Sequence, residues 1–327
     1  MEWCWRPSKL VPDMRPKPHP LKGLPELVEA VAQTDLRSWT QAWLDKDAED
    51  LAVHLWAQGT DSDWLWCLGL PLLSRAEQAI TASQRTLIGL SALPGCGKTT
   101  FGEWLTAASD SLGFAIQVIS IDDFYLPAAE MDRAMAGNPW AVPRALPGSH
   151  DTALMVECLS RWKQGASVTF PRFDKALRQG RGDRSGSIRC NADVLIVEGW
   201  FLGCSPLREG HNLNEGSSHL RNPLTMEELS YRELIQDKLA SYQRVWDEID
   251  TLWQLAATDF NAPMIWKRQQ EQAMQRDRGA GLSDSAVSAF IRMIQTAIPA
   301  ISFELDQASV VYDIDPDRRF RQIRVNL

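Results

Sequence analysis

Long apolar runs are missing from this 327-residue chain; none approaches the roughly 20 residues that a membrane-spanning helix needs. The opening stretch, MEWCWRPSKLVPDMRPKPHP, has no apolar signal core, and with two acidic residues and few serines it makes a poor transit peptide. Basic charge is scarce as well. A net charge of −8 and a pI of about 5.3 give no general attraction for nucleic acid or an anionic membrane, so neither is expected as a partner. The same charge repels anions, so any phosphate or carboxylate site has to be basic locally. Cys4, Cys67, Cys96, Cys158, Cys190 and Cys204 form no C-x-x-C pair, and the five histidines show no ligand spacing. That excludes an obvious zinc site or disulfide framework and points to reduced thiols in a cytosolic compartment. No internal repeat is visible, and the guanine-reading N-K-x-D element is absent.

What is present is ordinary globular material: 44% hydrophobic and 23% charged residues, enough for a sizeable core. The 14 tryptophans read as packing residues. Residues 1–23 are rich in Pro, Lys and Arg and read as extended. From Leu24 the pattern becomes helical, with Leu24, Leu27, Val28 and Val31 at i, i+3, i+4, i+7. Asp35 suits the cap of a next helix carrying Trp39 and Trp43, and 49–56 and 63–82 read as further helical segments. Apolar runs then appear at 86–92, 115–121, 193–197, 252–257 and 309–314, with helical stretches between several of them. Such alternation implies a parallel sheet covered on both faces, with all strand C-termini on one edge, where ligands of open α/β sheets bind. Residues 205–230 are rich in Gly, Ser and Asn and read as a loop.

Ala-Leu-Pro-Gly-Cys-Gly-Lys-Thr, 92–99, matches G-x-x-x-x-G-K-[ST] apart from Ala92 in place of the first glycine. A strand precedes it and a helix follows, as a phosphate-binding loop requires. Leu93, Pro94, Gly95, Cys96, Gly97, Lys98, Thr99 and Thr100 are therefore the candidate nucleotide contacts. Backbone N–H groups and the helix N-terminus bind the β-phosphate, Lys98 reaches the β/γ oxygens, and the Thr99 hydroxyl ligates Mg²⁺. Cys96, beside a helix N-terminus, is either a small loop filler or a thiol of lowered pKa open to oxidation.

The next strand runs into Ser120-Ile121-Asp122-Asp123-Phe124-Tyr125. Adjacent residues at a strand end face opposite sides, so one of the two carboxylates points at a substrate and can orient an attacking hydroxyl. Glu198 closes the apolar strand before Gly199-Trp200 and suits a Mg²⁺ ligand, direct or through water. Between these strands, Arg172, Lys175, Arg181 and Arg184 gather within 13 residues, a basic cluster suited to an anionic substrate. Asp174 lies in the same segment, and His150 in Gly148-Ser-His-Asp151 leads to the same edge. The charged stretch from Trp266 to Arg278, opening into Gly279-Ala-Gly281, reads as a lid helix from which Arg268, Arg276 or Arg278 would stabilise the transferred phosphoryl. Ser283 caps the helix after it.

PGCGKTT (94–100), SIDDFYL (120–126), NPW with PGSHD (138–151), PRFDK (171–175), GRGDR (180–184), VEGWFLG (197–203) and WKRQQEQAM with GAGLSD (266–284) together resemble the plant-type D-glycerate 3-kinases, within the phosphoribulokinase/uridine kinase group of P-loop kinases. The resemblance implies ATP-dependent phosphorylation of D-glycerate to 3-phosphoglycerate, as in photorespiratory glycolate salvage, with ATP and Mg²⁺ as cofactors and a small molecule as the partner. It puts the base on Asp122, which it also allows near the metal, and the substrate contacts on Asp123, Tyr125, His150, Arg172, Asp174, Lys175, Arg181 and Arg184. The lid departs from the pattern with Lys267 and Gln275 where arginines are usual, and 204–230 diverges. The expected architecture is an α/β P-loop kinase fold: a five-stranded parallel sheet flanked by helices over 84–327, with a lid around 260–283, preceded by a small helical extension over 1–83. Two other readings stand beside this one: a kinase of pantothenate, a nucleoside or a sugar phosphate, and a P-loop NTPase that is not a kinase.

Overall fold

Thr86–Ala92 is apolar on both alternations and forms β1, buried at every position. A strand of that kind belongs inside a sheet covered on both faces. In the computed structural model, which describes residues 12–214, 217, 220–278 and 283–326 with the side chains of 273–275 and 277–278 left out, β1 is a central strand. Around it lie β2 (Ile116–Ser120), β5 (Val194–Gly199), β6 (Thr251–Ala257), β7 (Val310–Ile314) and β8 (Phe320–Val325), in the order β2-β5-β1-β6-β7-β8. The first five are parallel, at the five apolar runs of the sequence.

The sixth corrects the five-stranded expectation: β8 runs antiparallel to β7. Its sequence, FRQIRV, buries Phe320 and Ile323 while Arg321 and Arg324 face outward. An edge strand needs only one apolar face, and outward arginines blunt a free edge. A further pair, β3 (Val168–Asp174) and β4 (Asp183–Cys190), forms a separate antiparallel hairpin that carries the PRFDK and GRGDR segments. Helices α5 (Ala128–Ala134) and α6 (Thr152–Lys163) lie between β2 and β3, and the loop expected over 205–230 ends sooner, because Thr225 and Glu228 form a capping box that starts the 21-residue helix α7 at Met226.

The N-terminal helices lie on this core. α1 (Leu24–Ala32) buries Leu24, Leu27, Val28 and Val31, and α2 (Leu36–Leu44) starts at Asp35, whose carboxylate accepts the Ser38 N–H. Both Trp39 and Trp43 donate to Ser74 Oγ on α3 (Leu70–Thr81). The helix expected over 49–56 is instead two 3₁₀ turns, and 64–69 is a π-turn leading into α3. Trp104, on α4 (Lys98–Leu112), donates to Leu51 O and stacks on Trp56 at 4.9 Å. Among the described residues no helix is long and apolar enough to cross a membrane, and Cys67, Cys96, Cys158, Cys190 and Cys204 are free and buried. Cys4 and Gly279–Gly281 lie outside the described residues.

Candidate active site

The loop between β1 and α4 is shaped by two glycines in the left-handed region, Gly95 at φ 84° and Gly97 at φ 119°. Gly97 is the N-cap of α4 and has no side chain to offer. The first-turn N–H groups of a 15-residue helix are therefore left without a side-chain cap and suit an anion, with the positive end of the helix dipole behind them. Lys98 lies across the loop, donating from Nζ to Ala92 O at 2.6 Å and Leu93 O at 3.3 Å. Thr99 and Thr100 are exposed at the helix start. Ala92, in place of the usual glycine, is buried at the end of β1 and costs the loop nothing.

Parallel pairing sets the second element. β5 sits between β2 and β1, with Glu198 in register with Ser120 on one side and Leu90 on the other. Its carboxyl is pushed up by burial, against the opposing pull of Lys98. Glu198 is thus an oxygen ligand wanting a cation, on the strand next to the one that runs into the loop. Among the described residues there is no group of three His, Cys, Asp or Glu that would cage a metal. Mg²⁺ does not require one, since it keeps several waters and phosphate oxygens, so the Thr99 and Glu198 oxygens fit it.

One residue beyond β2 the chain turns into a 3₁₀ segment, Ile121–Phe124, capped by Ser120 and Asp123. The two adjacent carboxylates part company there. Asp123 is buried: it reaches back to the Ser120 N–H at 3.3 Å and holds Arg172 Nη1 at 2.8 Å. Asp122 faces the open side, 2.6 Å from Lys175 Nζ and 3.8 Å from His150 Nε2. Burial alone would raise the Asp122 carboxyl, but Lys175 and His150 outweigh it and hold it far below the usual carboxylate range. His150 is fully buried and kept neutral by desolvation. It stacks on Tyr125 at 4.4 Å, and its Nδ1 lies 2.8 Å from Tyr242 Oη. Tyr242 accepts the Gly148 N–H, so its own hydroxyl proton is free to go to Nδ1. That arrangement leaves the imidazole proton on Nε2, toward Asp122.

The basic segment on β3 and β4 is distributed differently from a single anion clamp. Lys175 pairs with Asp122 and Arg172 with Asp123, while Arg181 joins Arg178 on Asp132. Arg184 straps Tyr125 O and Asp151. Asp174 caps its own turn through the Ala176 N–H. The structure therefore brings Asp122, Lys175, His150 and Tyr125 together. It sets Asp123 with Arg172 one step behind, and commits Arg181, Arg184 and Asp174 to neighbours.

Known proteins resemble the chain in sequence and in fold. No protein-family model matches the chain. Over 249 residues it is 32% identical to the chloroplastic D-glycerate 3-kinase of Arabidopsis thaliana, a match covering 71% of this chain and 51% of that one. Over 216 residues it is 29% identical to the uncharacterized kinase mug58 of Schizosaccharomyces pombe, covering 63% and 76% of the two chains. The structure overlays a D-glycerate 3-kinase of Cryptococcus neoformans var. grubii with a TM-score of 0.65, across 78% of this chain and 98% of the other, at 22% identity. The fold is that of a P-loop kinase. The resemblance read from PGCGKTT, SIDDFY and EGWFLG stands, and the chain spans about half the length of the Arabidopsis relative it matches.

Three supports of this candidate site have no local signal in sequence. Arg318, in the β7–β8 turn, donates from Nε and Nη2 to Gly95 O and lies over the Trp266 ring. Trp64, from the N-terminal region, donates to Arg318 O. Tyr242 on α7 (Met226–Trp246) orients His150. The first partners are 223 residues apart. The expected lid helix exists as α8 (Ala262–Arg278), but Arg268 and Arg276 are exposed on it. Among the described residues neither donates to the loop, Asp122 or Glu198. The side chains of Gln275 and Arg278 fall outside the described set.

Cys96 resolves as the loop filler. It is fully buried, and desolvation pushes its thiol up despite the pull of Lys98. A thiol kept protonated and covered is unreactive. In the native protein Cys96 is expected to resist iodoacetamide at neutral pH and to react only after unfolding, as read by mass spectrometry of its tryptic peptide. Labelling of the folded protein at a rate near that of a free thiol would contradict the assignment.

Proposed function

We propose that this P-loop kinase transfers the γ-phosphoryl group of ATP to D-glycerate, giving ADP and 3-phosphoglycerate, the step that photorespiratory glycolate salvage requires. The observation that carries the reading is that an ionised carboxylate, Asp122, stands on the same sheet edge as the phosphate loop, with Glu198 on the strand between them. The Arabidopsis and Cryptococcus relatives, both named D-glycerate 3-kinases, support the choice of acceptor.

In this reading the loop N–H groups hold the β-phosphate, and Lys98 turns from its carbonyls to the β/γ oxygens. The Thr99 hydroxyl and the Glu198 carboxylate would hold the Mg²⁺, which would supply positive charge against the phosphates. Asp122 accepts the hydrogen bond of the attacking hydroxyl and aims its oxygen at the γ-phosphorus. The bond to that oxygen forms as the bond to the ADP oxygen breaks, and the hydroxyl proton leaves toward Asp122 or the transferred phosphate. α8, with Arg268 and Arg276, acts as the lid. A reducing, cytosolic setting is in keeping with the five free, buried thiols.

The test is ADP release from Mg-ATP with glycerate, uridine, pantothenate or ribulose 5-phosphate, the phosphorylated position being read by phosphorus NMR. Release that depends on D-glycerate, with the new resonance at the 3-position, is expected. Release with another acceptor only, or equally with none, would replace this reading with a different kinase or a plain NTPase.

A further inference from the structure

The cations on the substrate side are almost all neutralised by carboxylates of the chain itself. Arg172 has Asp123, Lys175 has Asp122, Arg178 and Arg181 share Asp132, and Arg184 has Asp151. Arg144 is different. Its Nη1 donates to two backbone carbonyls, Gly180 O at 2.5 Å and Arg181 O at 3.1 Å, and it has no carboxylate partner among the described residues. Carbonyls fix the plane of a guanidinium without cancelling its charge. Nε and Nη2, the side-on pair of parallel donors that matches a carboxylate, have no partner among the described residues.

The position of Arg144 is fixed from two sides of the site. The next residue, Ala145, accepts through its carbonyl the indole N–H of Trp200 at 2.9 Å, two residues beyond Glu198 at the end of β5. The carbonyls that Arg144 grips belong to the turn between β3 and β4, whose hairpin also supplies Lys175 to Asp122. Arg144 therefore bridges the strand end that holds Glu198 and the hairpin that holds Lys175. Its charge is felt by Tyr125 and Lys175, the two side chains flanking Asp122. The segment in between leads to His150, which pairs with Tyr125 as an isolated bridge.

We propose that Arg144 is the specificity-determining residue of this site, binding the carboxylate of a small hydroxy acid side-on so that its distal hydroxyl lies at Asp122. This rests on the hydroxy-acid kinase reading and replaces the Arg172, Arg181 and Arg184 clamp expected from sequence. Those three arginines are already spoken for, whereas Arg144 carries a fixed and uncompensated charge. A nucleoside or another neutral acceptor would leave it unpaired, which is how the site discriminates.

The experiment compares wild type, Arg144→Met and Arg144→Lys. Calorimetric titration with D-glycerate and with its neutral amide, D-glyceramide, is followed by turnover on both. The expected result is that Arg144→Met weakens glycerate binding on the order of 100-fold, with ATP affinity unchanged, and erases the preference for the acid over the amide; a buried-edge charged hydrogen-bond pair has about that weight. Arg144→Lys keeps the charge without the paired donors and falls between. The acid-to-amide ratio separates recognition from a mere loosening of the Gly180–Arg181 turn, which would weaken both ligands alike. A ratio unmoved in Arg144→Met, or wild type that binds no glycerate, overturns the proposal. Wild type that binds glycerate through Arg144 but does not phosphorylate it would sink the kinase reading and leave the recognition assignment standing.

Discussion

Asp122→Asn is expected to reduce kcat by roughly 10²–10⁴, the usual span for removing a positioned base, while the affinity for ATP stays at the wild-type value. The carboxylate sits beside Lys175 and His150, which hold it far below the usual range, so it is ionised at any working pH. A base that weak does little by proton abstraction from an alcohol. Its contribution is orientation: a fixed anionic acceptor that aims the hydroxyl in line, in a reaction whose transition state makes few covalent demands. Asparagine keeps the shape but offers one acceptor in place of two and no charge, and the hydroxyl then loses its direction. Lys175, more than half exposed, tolerates the loss of its partner, so folding should be little disturbed. The measurements are steady-state turnover, nucleotide titration and a thermal melt. Turnover within a few-fold of wild type would remove Asp122 from the chemistry.

The parts that sequence displays are those whose determinants are contiguous. β1, β2, β5, β6 and β7 read as strands because buried parallel strands are apolar on both faces. The loop reads because Gly95, Gly97 and Lys98 must be spaced along one turn. β8 escapes notice because Arg321, Gln322 and Arg324 interrupt its apolar residues, and the β3–β4 hairpin because most of its positions are only partly buried or exposed. The adjacent acids show the limit of a simple rule. Opposite facing, expected at a strand end, arises here from a 3₁₀ turn in which Asp123 is consumed as a cap. The basic cluster is visible as composition, but charge pairing is a property of space. Nothing near Arg181 in sequence announces Asp132, 49 residues away, and nothing near Arg144 announces that among the described residues it has carbonyl partners and no acid. The supports of the loop, Arg318 and Trp64, come from opposite ends of the chain and meet only after the sheet has closed.

Gly95→Ala is expected to damage both the phosphate loop and the packing behind it. Two costs act together. At φ 84° an alanine is strained, by about 1–3 kcal/mol for a non-glycine residue held in a sparsely populated region. The added Cβ would also stand 2.7 Å from Trp266 Cβ and 3.1 Å from the Trp266 carbonyl carbon, so the obstacle is the root of a residue and not the far end of a flexible side chain. Trp266 has little room to retreat, being fully buried with its indole N–H tied to Pro316 O at 2.7 Å. Either α8 moves or the loop does. If the loop moves, the Gly95 carbonyl leaves Arg318, and the N–H groups that should converge on phosphate are turned away. A displacement near 1 Å at such a site costs on the order of 100-fold. ATP affinity should fall by that much and the melting temperature should drop as well. Gly97→Ala makes the contrast. At φ 119° it is strained too, but its nearest neighbour is a Trp64 ring carbon at 3.5 Å, an ordinary contact, so its melting temperature should fall less. Gly95→Ala that binds ATP and melts like wild type would mean that the loop does not need this conformation, and the packing of Trp266 against it would lose its purpose.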